Sequence, residues 1–301
     1  MKKIYLLIVA VAMLAACERP DLSIVDEGST VEGKTEKTKK FTFTVKGEFL
    51  TQTKDIEFSY GEATRGYLAA DGQNMTDLWV FDFVDGECVQ TLHQSGADDD
   101  FGTPSLSLTY GQHHVYFVAS RGTEPEVDAS AHTITWDKVK DTFWADYAVT
   151  VVSTSNGNRA VTLDRVATKL KITATDEVPA SMSVLTITPA TWYSALNYVT
   201  GDAAGAVANQ TRSVSVPSSY VGTSTQLTMS IFGISGTTEW TTDLTIAALD
   251  DNAEVIGQAQ ITSAPFIRNR TTEYSGPLFG TAGAAAVSLN AEWATAYSGT
   301  W

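Results

Sequence analysis

The chain is predicted to be all-β, and three observations predict it. Apolar residues recur with a period of two in short runs, as where Phe41, Phe43 and Val45 are separated by Thr42 and Thr44, which is the spacing of a strand buried on one face. Turn-forming residues, chiefly Gly, Asp and Asn, separate these runs. No long stretch carries apolar groups at helical spacing. Recurrent segments rich in Thr, Val and aromatics predict β-sandwiches, two in tandem, with a boundary near 155 to 165.

Taken in order, strands are expected at Phe41 to Val45 and at Ile56 to Tyr60, followed by a polar loop through Met75. Asp77 to Val84 (DLWVFDFV) is mostly apolar, as a strand buried on both faces would be. Asp85-Gly86 is the signal for a type I′ hairpin turn, and Glu87 to Leu92 returns. Leu106 to Tyr110 and Val115 to Ala119 alternate around a turn at Gly111-Gln112. His132 to Trp136 and Ala148 to Val152 are further strands, with Asp137 to Phe143 between them as a short helical connection. After Asn156-Gly157 a second set begins near Val161. It comprises Ala167 to Ala174, Val184 to Thr188, Ser213 to Val216, Leu227 to Ile231, Leu244 to Ala248, Val255 to Ile261 and Val287 to Trp293.

Composition narrows the function classes. Hydrophobic residues make up 43% of the chain, enough for a sizeable core. The formal charge is -15, and such a surface repels phosphate backbones, which argues against nucleic acid as a partner. Two cysteines and four histidines leave little material for a disulfide framework or a zinc site. If Cys17 is modified, Cys88 is a lone thiol and is expected to pack as a small hydrophobe.

The first seventeen residues, MKKIYLLIVAVAMLAAC, set a basic head (Lys2, Lys3) before a short apolar run and two small residues. That is the pattern of a secretory signal peptide. Leu14-Ala15-Ala16-Cys17 also looks like a bacterial lipobox, which implies cleavage between Ala16 and Cys17 and acylation of Cys17. Two or more acyl chains hold a protein stably on a membrane without spanning it. Residues 18 to 40 are polar and mixed in charge, and are read as a flexible tether. The resulting map is a signal peptide at 1–16, a lipidated tether at 17–40, an N-terminal sandwich at 41–160 and a C-terminal sandwich at 161–301.

No catalytic constellation emerges. The chain has no G-x-S-x-G elbow, no H-E-x-x-H and no phosphate-cradling glycine loop. His113 and His114 are adjacent on a strand, so they point to opposite faces, one packed and one solvated. Asp98-Asp99-Asp100 lacks the ligand spacing of a calcium loop and is read as a solvated acidic turn. No metal and no cofactor are expected. The aromatics Trp79, Trp136, Trp144, Trp192, Tyr193, Trp240 and Trp293 would stack on sugars if exposed, with Trp192-Tyr193 the pair most worth locating.

Four stretches carry a family resemblance: Asp77–Asp82, Tyr110–Ala119, Arg165–Leu170 and Arg268–Gly276. With the lipobox and tether, their order resembles the Bacteroidales fimbrillin-like lipoproteins, specifically the minor fimbrial subunit and anchor branch of type V pili. The resemblance implies two transthyretin-like β-sandwiches, display on the outer membrane, and assembly with other fimbrial subunits by β-strand addition. It also implies that polymerising members are cut after an N-terminal arginine, here Arg65 in Thr64-Arg65-Gly66, whereas anchor members stay intact. The polar run Arg268 to Gly276 is expected to be a crossing between strands. The leading expectation is a non-enzymatic fimbrial anchor or accessory subunit serving pilus assembly and cell adhesion, with a host or bacterial surface ligand as a further partner. The alternative is a glycan-binding surface lipoprotein of a polysaccharide-uptake system.

Overall fold

A computed structural model describes residues 37–47, 75–121, 125–224, 226–236, 239–279 and 297–299, and every regular element among them is a strand. The protein is all-β. The first strands are β1 (Thr38–Gly47), β2 (Asp77–Val84), β3 (Glu87–Ser95), β4 (Ser105–Thr109) and β5 (Gly111–Ser120). The short β6 (Glu126–Asp128) and β7 (Thr133–Thr135) follow, then β8 (Thr142–Val151) and β9 (Asn158–Arg165). Seven of these form one sheet in the order β3-β2-β5-β8-β9-β1-β4. β9 is its hinge strand, joining the leaf β3-β2-β5-β8 to the leaf β9-β1-β4: Asn158–Leu163 pair in parallel with β1, and Asp164 and Arg165 pair with β8. Side chains from both leaves meet in a first core around Phe41, Phe43, Val80, Leu108, Phe117 and Leu163.

The second half runs β10 (Ala167–Ala174), β11 (Met182–Pro189), β12 (Thr191–Asn197), β13 (Asp202–Ala208), β14 (Arg212–Ser215), β15 (Leu227–Ile234), β16 (Trp240–Asp250), β17 (Val255–Phe266), β18 (Thr271–Gly276) and β19 (Tyr297–Gly299). Two four-stranded sheets, β15-β10-β18-β19 and β14-β11-β16-β17, enclose a second core that includes Leu170, Leu185, Trp192, Ile246 and Phe266. A further sheet, β13-β12-β7-β6, mixes strands from both halves of the sequence. Beside it lies a third core of Phe81, Phe83, Tyr116, Val118, Ile134, Trp136, Leu196 and Tyr198. This third core explains β2 and β5. Leu78 and Val80 of β2 enter the first core while Phe81 and Phe83 enter the third, and in β5 Val115 and Phe117 oppose Tyr116 and Val118 in the same way. Both strands are therefore apolar on both faces. All the described residues fall in one compact unit.

Local chemistry accounts for several boundaries. Asp85 and Gly86 take φ of 51° and 86°, the positive pair a type I′ turn requires. Gly157 has no room for a side chain, since a Cβ there would lie 2.3 Å from the carbonyl oxygen of Lys40.

The structure corrects four expectations. Asp137 to Phe143 is not helical: the chain is irregular until β8 begins at Thr142. Val139 and Phe143, spaced as on a helix face, enter different cores, the third and the first. The tether does not reach residue 40, because Thr38–Lys40 already pair with β4 through backbone groups that need no apolar side chain. The Arg268 to Gly276 run is not a crossing throughout: Thr271–Gly276 is β18, paired in parallel with β10. The expected boundary at 160 falls inside β9, a strand of the first sheet. The strands expected at Ile56 to Tyr60 and Val287 to Trp293 lie outside the described residues.

Candidate functional site

Ala16, Cys17 and Arg65 lie outside the described residues, so the site is sought among the rest. Cys88 is exposed, not packed as a hydrophobe, because β3 is the end strand of its sheet and its Glu87–Val89 segment points to solvent. Asp98, Asp99 and Asp100 are exposed, and Asp98 caps its own turn by accepting from the backbone N–H of Ser95 at 2.7 Å. Among the described residues no group of His, Cys, Asp and Glu is placed to hold a metal.

His113 and His114 do point to opposite faces. His113 is buried, with Nδ1 2.7 Å from Asp82 Oδ1 and Nε2 3.0 Å from the carbonyl oxygen of Thr109. A carbonyl can only accept, so Nε2–H donates to Thr109 while Nδ1 faces the Asp82 carboxyl. Burial raises the Asp82 pKa from its ordinary value, while hydrogen bonding to and attraction by His113 oppose the rise. Asp82 lies opposite Val115, which makes His113 its diagonal neighbour across β2 and β5. The pair is 0% and 1% exposed at its side chains, so it ties strands together and meets no substrate. His114 is half exposed and lies 3.0 Å from Asp146 on β8.

The aromatic platform is absent where it was sought. Trp192 is 1% exposed, donates to the carbonyl of Phe232 at 3.2 Å, and packs edge-on against Trp240 and Phe266. Tyr193 is half-buried against Trp240. Trp79, Trp136, Trp144 and Trp240 are buried or half-buried, and Trp293 lies outside the described residues. These indoles serve the cores.

What the sequence did not reveal is a cleft of about 290 Å³ between β14 and β15, flanked by the 138–140 segment. β14 and β15 are the end strands of the two sheets around the second core. Met229, Ile231, Phe232 and Val214 give the cleft an apolar floor, and Lys138, Lys140 and Arg212 give it three cations. Arg212 donates to the Asp137 carbonyl at 3.1 Å and to Gln210 Oε1 at 2.7 Å, both neutral acceptors. Burial pulls its guanidinium below the ordinary value, opposed by the charge of Asp137. No short motif announces this site, since its cations stand some seventy residues apart and meet only through folding.

Among the described residues, fold and cleft define an all-β protein with three hydrophobic cores and a cation-lined cleft. A model described as a family of unknown function (DUF6562) matches residues 125–300, and the chain belongs to that family. No curated protein matches the sequence. Among solved structures, the chain is similar to a candidate adhesin from Bacteroides ovatus, with 9% identity and a TM-score of 0.49, covering 78% of this chain and 88% of that one. It is similar to a candidate cell adhesion protein from Bacteroides eggerthii at 15% identity and a TM-score of 0.39, covering 83% and 89%. It is also similar to the fimbrial anchor protein Mfa2 from Porphyromonas gingivalis at 9% identity and a TM-score of 0.36, covering 63% and 75%.

Proposed function

We propose that the protein is a non-enzymatic surface lipoprotein, anchored through Cys17, that serves as an anchor or accessory subunit of a fimbria. The observation that carries this reading is the position of β1. It is the described strand that precedes Arg65, and it lies inside its leaf, parallel to β9 and antiparallel to β4. Phe41, Phe43 and Val45 of β1 are at most 2% exposed in the first core, each contributing roughly 1.5–3 kcal/mol by burial. A cut after Arg65 would detach β1 from everything that follows, and its loss would leave a groove between β9 and β4 shaped for an alternating apolar strand from a neighbour. With β1 retained, the leaf is complete and the chain remains joined to its lipid, as an anchor requires.

In this reading residues 1–16 are the signal peptide, and the first and second cores mark two sandwich domains in tandem. Mass spectrometry of the mature N-terminus from the native envelope tests it. An acylated Cys17 is the expected terminus. A terminus at Gly66 would instead make the protein a processed, polymerising subunit, and failure to co-purify with any fimbrial fraction would remove the fimbrial role.

A further inference from the structure

We propose that the cleft between β14 and β15 binds an anionic sugar residue, its carboxylate held by Lys140 and Arg212 and its ring resting on Ile231. The inference is separate from the fimbrial reading, which concerns β1 and the N-terminal segment.

Charge is the first argument. The chain carries -15 overall, yet Lys140 and Arg212 line this cleft with no carboxylate in its lining, the Asp137 charge acting on Arg212 from beside it. A long polyanion is repelled by the surface as a whole, but a single carboxylate entering the cleft meets a local field of the opposite sign.

The state of Arg212 is the second. Its two hydrogen bonds go to a backbone carbonyl and a side-chain amide. They fix the guanidinium in place through neutral groups, and a guanidinium has five N–H donors, so donors remain for a ligand. A partly desolvated cation oriented by neutral dipoles gains more from an incoming anion than a fully hydrated one does.

Size and lining argue for a sugar. A volume of about 290 Å³ is at the small end of ligand sites, roughly 300–1,000 Å³, and suits about one ring. Ile231 and Met229 give the cleft its apolar side, while Ser230 and Thr211, whose hydroxyl also meets that of Thr188, stand around it. A sugar ring offers the matching pair of surfaces, C–H faces for the floor and hydroxyls for the rim.

Calorimetric titration of the full chain with glucuronate, glucose and inorganic sulfate tests the assignment. Glucuronate should bind, with glucose at least tenfold weaker. Arg212→Gln and Lys140→Gln should each weaken glucuronate at least fivefold, and Thr211→Trp, on the exposed rim, should abolish binding while the unfolding temperature stays near that of the parent. A glucuronate-terminated oligosaccharide should bind at least as well as the free sugar if the physiological source is a glycan end. Equal binding of glucose and glucuronate would overturn the proposal. So would sulfate binding as tightly as glucuronate, an acidic peptide binding where glucuronate does not, no binding by the parent chain, or undiminished binding by folded Lys140→Gln and Thr211→Trp.

Discussion

Arg165 and Asp141 meet in a two-pronged ion pair, Nε to Oδ1 at 2.6 Å and Nη2 to Oδ2 at 2.9 Å, with the guanidinium 2% exposed. The third arm donates to Asn269 Oδ1 at 3.0 Å, and Phe143 lies beneath the guanidinium. Arg268 in turn donates to the backbone carbonyl of Arg165. One side chain thus joins the irregular segment before β8, the end of β9 and the turn before β18, at the point where the chain leaves the first core for the second. Removing one partner of a buried pair strands the other. Arg165→Met should therefore cost about 3 kcal/mol or more in urea unfolding. Arg165→Lys should recover only part of that, because an ammonium cannot reproduce the fork.

The Asp82–His113 pair gives a second test. Asp82→Ala leaves a buried imidazole without its partner and should cost about 3–5 kcal/mol. Asp82→Asn should cost much less, because the amide can donate to Nδ1 while Nε2–H still bonds Thr109. The pH dependence follows from the raised pKa of Asp82. The folded state holds this proton more firmly than the unfolded chain, so the contribution is full below the ordinary carboxylate value and declines as pH rises through the raised one. The stability difference between the parent and Asp82→Asn, followed upward from about pH 3, should move against the parent. A flat difference would contradict the assignment.

Tyr198 is fully buried and stacks on Phe81 at 3.9 Å, but its hydroxyl has no hydrogen-bond partner. Burial first, then the charges of Cys88 and Asp128, push its pKa to about 12, so the phenol stays neutral. Tyr198→Phe keeps the ring and removes an unsatisfied polar group. It should be neutral or stabilising by up to about 1 kcal/mol, read as an unchanged or higher unfolding temperature.

Gly233 faces the edge of Trp192, where a Cβ would lie 2.8 Å from the indole. Gly233→Ala should destabilise by about 1–3 kcal/mol through overpacking, and a smaller residue at 192 should relieve that specific clash in a double-mutant cycle.

Cys88 is exposed, and the chain has two cysteines. If Cys17 carries lipid, native mature protein should take up one equivalent of a thiol reagent without denaturant, and Cys88→Ser should take up none. Cys17→Ser should in addition move the protein out of the membrane fraction.

Much of the β-pattern was legible because it is local. Period-two alternation located β1, β4 and β15, and Asp85-Gly86 defined the β2–β3 turn, since turn chemistry and side-chain period act over a few residues. The stretches behind the family resemblance also turn out to be neighbours: Leu78–Asp82 pair with Val115–Ala119, and Lys169 and Leu170 pair with Thr271 and Thr272. β13 and β18 were missed because their residues are small or polar, and β12 because its Trp192, Tyr193 and Leu196 show no period-two alternation.

The sequence by itself determined the strand-rich class, the hairpin at Asp85-Gly86, the double-faced apolarity of Asp77 to Val84 and the acidic surface. Each depends on residue type and near spacing. Only the tertiary structure decided that Asp82 meets His113, that Trp192 serves a core and no ligand, and that Lys140 and Arg212 share a cleft. Those outcomes depend on which strands end a sheet and which lie inside it, and strand order is set by contacts between residues far apart in the chain.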